Sequence, residues 1–287
     1  MSKKVKTYVA IVLDRSGSMH TISEEAVEGY NTHIKKFKEN TEEQDVEVSL
    51  VTFNSEVYEH YWLDNAKNVE MANQADYNPG GTTAMLDAMG YTIDKLQEST
   101  DVANEDNAYL VITISDGCEN ASNHVDRNRL AQKIATLQAT GRWTFTFMGC
   151  DGSYLREFAQ TTGIPMANMA MFSTGSKEAA KFGYANSASS ADKYLKHRVR
   201  AAKAIHSGIR GQSVGTCNFY SDDSAMCADY TAPVGDAVDM NAPLWVGGSV
   251  SCSSNTPTSF GSAKLESKTD TGTANIFSSG KNVAWKS

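Results

Sequence analysis

Residues Tyr8–Met19, with the sequence YVAIVLDRSGSM, decide the fold of this chain. The segment Val9–Leu13 is continuously apolar, as expected for a parallel strand that helices cover on both faces. The chain then changes character, because the following turn presents the carboxylate of Asp14 and the hydroxyls of Ser16 and Ser18. Oxygen ligands on alternate residues suit a hard cation such as Mg²⁺, which takes about six oxygens and keeps several waters. The stretch therefore predicts a strand that ends in a metal-binding turn.

This turn resembles the metal-ion-dependent adhesion site (MIDAS) of von Willebrand factor A (vWA) domains. The family's site needs two further pieces, a threonine from a second loop and an aspartate from a third. Gly80–Met85 (GGTTAM) resembles the second loop, and Ile114–Gly117 (ISDG) resembles the third. A lone DxSxS pattern is a weak signal in serine-rich loops, whereas three pieces at family-like spacing are a strong one. The resemblance covers residues 5–206, and it is nearest to stand-alone vWA proteins of bacteria and phages.

The resemblance implies a Mg²⁺ or Mn²⁺ ion that is held by hydroxyl and carboxylate side chains from all three loops. The implied ligands are Asp14, Ser16, Ser18, Thr83 and Asp116. The two aspartates are expected to act directly or through water. In the family one coordination position stays open, and an aspartate or glutamate of a partner protein fills it. A carboxylate suits that position because it neutralises the residual charge of the cation in a partly desolvated site.

Two neighbouring side chains, Thr82 and His20, are expected to touch the partner. The sequence does not decide whether Thr82 or Thr83 supplies the hydroxyl, although the start of the next helix favours Thr83. A simpler interpretation is that Asp14 and Asp116 only cap helices while the hydroxyls fill turns, as such residues commonly do. The agreement of three loops favours the metal site over this interpretation.

Enzymatic activity is not expected. His20 lies beside Ser16 and Ser18, but neither serine stands in a G-x-S-x-G elbow, and the nearby Asp14 is better used by a metal. No G-x-x-x-x-G-K-[ST] motif indicates a nucleotide site. The first hypothesis is therefore a non-enzymatic, metal-dependent module that binds a protein.

Alternating strands and helices predict an α/β fold, with a doubly wound, mostly parallel sheet of the Rossmann-like vWA type, over residues 1–206. Strands are expected near Val46–Phe53, Val57–Leu63 and Trp143–Met148, and a final helix from about residue 191 to 206. Asp14 and Asp116 each follow a buried strand. Because ligands bind at the carboxyl ends of such strands, the fold by itself predicts these aspartates at one edge.

Composition restricts the partners further. The 287 residues carry a formal charge of −8, which disfavours broad attraction to nucleic acid or an anionic membrane. The longest apolar runs fall far short of the ~20 residues that span a bilayer. The apolar run at the N-terminus meets Asp14 too early for a signal peptide, so a cytoplasmic location is expected, or a virion if the gene belongs to a phage.

The five cysteines form no CxxC pair and are odd in number. They therefore indicate neither a zinc site nor a disulfide framework, and reduced thiols are expected.

Residues 207–287 differ in kind, since they are rich in Ser, Thr and Gly and show no helical periodicity. They are predicted to form an irregular or β-leaning extension. An ordered arm of this composition often owes its order to a partner or a symmetry mate. The second hypothesis is therefore a structural subunit, for example of a phage virion, that assembles through residues 207–287.

Overall fold

The computed structural model describes residues 5–206, 219–220 and 273–284. Its strands are β1 (Lys6–Asp14), β2 (Asp45–Phe53), β3 (Val57–Asn65), β4 (Met71–Ala72), β5 (Asn107–Ile114), β6 (Trp143–Gly149), β7 (Met169–Met171), β8 (Thr273–Ala274) and β9 (Lys281–Asn282). Its α-helices are α1 (Ser23–Glu39), α2 (Met85–Ser99), α3 (Arg127–Ala139), α4 (Gly152–Thr162) and α5 (Lys177–His206). Strands and helices alternate through most of the chain, which confirms the predicted α/β class.

Strand β1 lies at the centre of a seven-stranded sheet with the order β7-β6-β5-β1-β2-β3-β9. It pairs in parallel with β2 on one side and with β5 on the other. The order reverses at β1, so β1 and β5 flank the topological switch point of the sheet. Strand β3, which the sequence predicts near Val57–Leu63, pairs antiparallel with β2.

Helices cover both faces of the sheet. Side chains of β1 alternate between two cores: Val9 and Ile11 pack with α1 and α5, while Ala10 and Val12 pack with α2, α3 and α4. This two-sided burial explains the uninterrupted apolar run in the sequence.

The final helix differs from the prediction, because α5 begins at Lys177 and not near residue 191. Its first half buries Ala180, Tyr184 and Ala188, which recur at helical spacing. Most side chains in this stretch are small, so the apolar period is faint in the sequence. Packing of these residues against α1 stabilises the first half of α5 as a helix.

The prediction of an extension at 207–287 falls largely on residues outside the described ones. Residues 219–220 and 273–284 pack on the α/β domain. Phe219 joins the core beside Tyr194, and Phe277 is buried in the same core. The division of the chain into a domain at 1–206 and an extension at 207–287 stays a prediction.

No helix among the described residues combines the length and apolar character that crossing a membrane requires.

Helices α1 and α5 meet at Gly29, where a Cβ atom would lie 2.2 Å from Cδ1 of Tyr184. We expect Gly29→Ala to lower the free energy of unfolding by about 1–3 kcal/mol through overpacking, although alanine normally favours a helix. The control is Gly152→Ala, whose Cβ would find its nearest neighbour at 3.5 Å. Urea titrations measure both, and a Gly29→Ala protein as stable as the wild type would contradict this packing.

His33 is buried in the same interface between α1 and α5. Its Nδ1 donates to the Gly29 carbonyl at 2.8 Å, so its Nε2 accepts from the Ser187 hydroxyl at 3.0 Å. Burial lowers the pKa of His33 from 6.5 to about 4. Between pH 6.5 and pH 4, His33 is therefore protonated in the unfolded chain but largely neutral in the folded chain. Because protonation favours the unfolded chain, the free energy of unfolding falls as pH drops through this range.

We expect the wild type to lose about 2 kcal/mol more than His33→Gln between pH 7 and pH 4.5. Urea titrations of the two proteins at both pH values measure the difference. Identical pH dependence of the two proteins would show that His33 does not resist protonation.

Candidate metal centre

The carboxyl ends of β1 and β5 bring the first and third predicted loops together. Leu13 of β1 pairs in register with Ile114 of β5, so the residues that follow leave the sheet side by side. Asp14 is the last residue of β1, and Asp116 lies two residues beyond β5. The fold therefore places the two aspartates at one edge, as the sequence predicts.

The turn after β1 is held by its own polar groups. The Ser16 amide donates to Asp14 Oδ1 at 2.6 Å, and the Ser16 and Ser18 hydroxyl oxygens are 3.1 Å apart. Ser18 Oγ also donates to Asp116 Oδ1 at 2.6 Å. A 3-10 helix, Gly17–Ile22, follows and leads into α1. Ser16 is buried and Ser18 exposed, so the hydroxyls run from the interior to the surface.

The second loop docks on this turn through its backbone. The Gly17 amide donates to the Gly81 carbonyl at 3.1 Å, and the Gly80 amide donates to the Arg15 carbonyl at 2.9 Å. Gly81 has a φ of 81°, and a Cβ there would lie 2.7 Å from Ser55 Oγ. Only glycine accommodates both the positive φ and the close approach.

Thr83 faces the first and third loops, whereas Thr82 does not. A Cβ atom built on Gly117 would lie 3.3 Å from Thr83 Oγ1 and 3.5 Å from Ser18 Oγ, so glycine leaves room between these hydroxyls. Thr83 is only 3% exposed. Thr82 is exposed and its hydroxyl lies 2.8 Å from Ser55 Oγ. Its predicted contact with a partner and that of His20, also exposed, stay predictions.

Asp14 is an uncompensated acid in the interior. It is fully buried, and its Oδ2 accepts from the Ser115 hydroxyl. Burial raises the pKa of Asp14 to about 6. The charge of Asp116 also raises this pKa, whereas the hydrogen bonds from Ser115 and Ser16 lower it. Burial also raises the pKa of Asp116. Among the described residues no basic side chain forms an ion pair with Asp14 or Asp116, so no positive charge is paired with either acid.

Arg15 does not supply that charge, although it lies between two of the predicted ligands. Its guanidinium lies over the ring of Tyr58 at 4.5 Å from the centroid, and Nη1 donates to the Phe277 carbonyl at 3.4 Å. The arginine is thus turned towards the edge of the sheet.

Sequence reasoning missed the residues that support the ligands. Ser115 bonds Asp14, and the buried Tyr77 donates its hydroxyl to the Asp14 backbone carbonyl. Asn120 accepts from the Thr83 amide at 2.9 Å, while Glu119 accepts from the Leu86 amide at 2.8 Å. Asn120-Ala121-Ser122 reads in the sequence as a chance glycosylation pattern, and nothing there signals a support for another loop.

Cys150 and Asp151, which follow β6, lie next to the third loop. The thiol of Cys150 donates to the Asp116 backbone carbonyl. Asp151 accepts from the amides of Ser153 and Tyr154 and so caps α4.

The donor set fits a hard divalent cation. Three hydroxyls and two carboxylates supply only oxygen, the ligand type that Mg²⁺ and Mn²⁺ prefer. The space beside Gly117 lies between hydroxyls of two loops, and a cation would neutralise the adjacent acids. Among the described residues no three His, Cys, Asp or Glu side chains come together as a metal site, so the serine and threonine hydroxyls would have to contribute.

The fold and this cluster define a class of protein, an α/β domain with an oxygen-rich centre at the carboxyl edge of its sheet. The family model of the von Willebrand factor type A domain matches residues 9–184. The chain therefore belongs to the von Willebrand factor type A domain family. A search of curated proteins gives no match.

Several solved structures are similar to this chain. The PilB minor pilin from Streptococcus sanguinis has 14% identity and a TM-score of 0.48, covering 68% of this chain and 63% of the pilin. The vWF domain of the type V pili tip protein Mfa5 from Porphyromonas gingivalis has 11% identity and a TM-score of 0.46, covering 73% of this chain and 98% of that domain. Proximal thread matrix protein 1 from the mussel byssus, with a zinc-occupied MIDAS motif, has 14% identity and a TM-score of 0.39, covering 63% of this chain and 46% of that protein. These values are low, so the family assignment depends on the family model.

The paired carboxylates predict an unusual response to substitution. We expect Asp116→Asn to raise the free energy of unfolding in EDTA by about 0.5–2 kcal/mol, because it removes a charge beside Asp14 and keeps an acceptor for Ser18. Mg²⁺ is expected to stabilise the wild type but not this variant, since a ligand of the folded state raises its stability.

Thermal unfolding with and without Mg²⁺ measures both effects. The control is Asp126→Asn, which removes an exposed carboxylate that caps α3. A lower stability of Asp116→Asn in EDTA would contradict repulsion between the two acids.

Proposed function

We propose that this chain is a non-enzymatic protein-binding module that captures an aspartate or glutamate of a partner at a MIDAS-type Mg²⁺ or Mn²⁺ site. The observation that carries the proposal is the convergence of Ser16, Ser18, Thr83, Asp14 and Asp116 from three loops at the carboxyl edge of the sheet. Membership of the vWA family supports it.

The charges of the cluster support capture of an anion. A bound divalent cation would supply positive charge and an open position for a carboxylate. Two carboxylates and neutral hydroxyls give the chain little surplus negative charge at the surface of the centre, because Asp14 is fully buried. Asp116 is partly exposed, so an approaching partner carboxylate meets one acid of the centre and not a row of them.

The outer edge of the centre has polar groups available to a partner. Ser18, His20 and Thr82 are exposed there. His20 offers a ring nitrogen and Thr82 a hydroxyl, both suited to hydrogen bonds with a peptide backbone or a carboxylate. The proposed contact surface is this polar edge with the cation at its centre.

The hydrogen bonds at the serines support a binding role over hydrolysis. Ser18 Oγ donates to Asp116, and Ser16 Oγ is within hydrogen-bond distance of Ser18 Oγ. A nucleophilic serine is usually activated by a histidine base, and in the described part of the chain no histidine nitrogen is hydrogen-bonded to either hydroxyl. The described contacts of these serines are with each other and with a carboxylate, in keeping with a ligand role.

Assembly through residues 207–287, as in a virion subunit, stays a prediction. Most of that segment lies outside the described residues, and a chain that assembles can also keep a working metal site.

The metal and the partner are tested separately with the full chain. Titration with Mn²⁺, followed by electron paramagnetic resonance, measures the metal; capture from a lysate in Mg²⁺ or EDTA, followed by mass spectrometry, measures the partner. We expect Ser16→Ala and Asp116→Ala to weaken Mn²⁺ binding at least about 10-fold and to lose the captured protein, because both remove oxygens from the cluster.

Asp151→Asn is the matched control, since it removes an exposed carboxylate of the next loop and keeps an acceptor for the helix cap. It is expected to bind Mn²⁺ within about twofold of the wild type. Capture that persists in EDTA and in Asp116→Ala, with both variants folded, would refute the adhesion proposal.

A further inference from the structure

Residues 273–284 run along one edge of the seven-stranded sheet. We call residues 273–284 the C-terminal clasp. Its strand β8 pairs with β4, and β9 pairs antiparallel with β3. The Val283 amide donates to the Val57 carbonyl at 2.8 Å. The clasp thus adds a strand to the sheet more than 200 positions after the strand that it joins.

Phe277 anchors the clasp. It is 1% exposed and lies against three rings that come from different parts of the chain. The ring centroids are 5.0 Å away for Tyr77, 5.6 Å for Tyr30 and 5.9 Å for His60, each with an edge-to-face arrangement. Such contacts fix the orientation of the rings as well as their burial.

One path from this anchor reaches Asp14 through Tyr77. The Tyr77 ring packs on Phe277, and the Tyr77 hydroxyl donates to the backbone carbonyl of Asp14. The hydroxyl can hold that carbonyl only while its ring keeps its place. Phe277 forms one wall of the space that fixes the ring.

A second path reaches the turn through Arg15. Arg15 Nη1 donates to the Phe277 carbonyl at 3.4 Å, and its guanidinium lies over Tyr58, which pairs with Asn282 of the clasp. The Arg15 carbonyl in turn accepts from the Gly80 amide of the second loop. The clasp therefore contacts Arg15 directly and reaches Asp14 through Tyr77.

We infer that Phe277 is a positioning residue of the metal centre and that the C-terminal clasp holds the turn from Asp14 to Ser16 in its ligating arrangement. This inference rests on the proposed metal site. His60 adds a further tie, because its Nδ1 donates to the Ile276 carbonyl at 2.8 Å. The site is thus built by four segments, of which the family motif contains three.

The test compares the same substitution at two buried phenylalanines. Phe277→Leu removes the ring beside Tyr77, whereas Phe37→Leu removes a fully buried ring of the same core from the last turns of α1. Both variants are made in the full chain, and Mn²⁺ affinity is measured by electron paramagnetic resonance where circular dichroism shows each to be folded. We expect Phe277→Leu to bind Mn²⁺ about 10-fold more weakly and Phe37→Leu to stay within about twofold of the wild type.

A second variant, Arg15→Met, keeps an apolar stem but removes the donor to the Phe277 carbonyl, and a loss of about threefold or more is expected. If Phe277→Leu does not fold, the Mn²⁺ affinity of Arg15→Met alone tests the positioning role of the clasp. Wild-type affinity in Arg15→Met and in any folded Phe277→Leu would overturn the positioning role while leaving the metal site intact. A wild type that does not bind Mn²⁺ would overturn the proposed function and this inference together.

Discussion

Two carboxylates at the ends of adjacent parallel strands are the constraint on which the rest of the site depends. Asp14 and Asp116 leave β1 and β5 at the switch point of the sheet, where backbone pairing fixes their separation. Burial raises the pKa of both acids, and the charge of Asp116 adds to the rise at Asp14. Such an arrangement is stable only because hydroxyls and amides bond the acids, and it favours a cation that can neutralise them.

The surrounding loops follow from that constraint. The buried Asp14 accepts from an amide and a hydroxyl, which fixes the turn from which Ser16 and Ser18 project. The glycines of the second loop let its backbone dock on this turn and bring Thr83 to the third loop. Asn120 then holds the backbone of Thr83 in place. The placement of the candidate hydroxyl ligands thus depends on hydrogen bonds made by neighbouring groups.

The C-terminal clasp extends this dependence to a distant part of the chain. The Phe277 carbonyl accepts from Arg15 of the turn, and the Phe277 ring packs on Tyr77, whose hydroxyl donates to the Asp14 carbonyl. A motif search finds the ligands but gives no sign of this support, because aromatic packing between distant residues leaves no local pattern. The first half of α5 is a similar case. Its buried residues are mostly small, so the sequence pattern does not reveal the helix face that packs against α1.

The sequence by itself determined the α/β class, the strand that ends at Asp14, and the three loops that could hold a metal. It could do so because strand burial, turn chemistry and ligand type are local properties of neighbouring residues. Only the tertiary structure decided that Thr83 and not Thr82 faces the other loops, that Ser115, Tyr77 and Asn120 support the ligands, and that residues 273–284 close the edge of the sheet. Those features depend on which distant backbones meet, and that is fixed by strand order and packing rather than by any stretch of sequence.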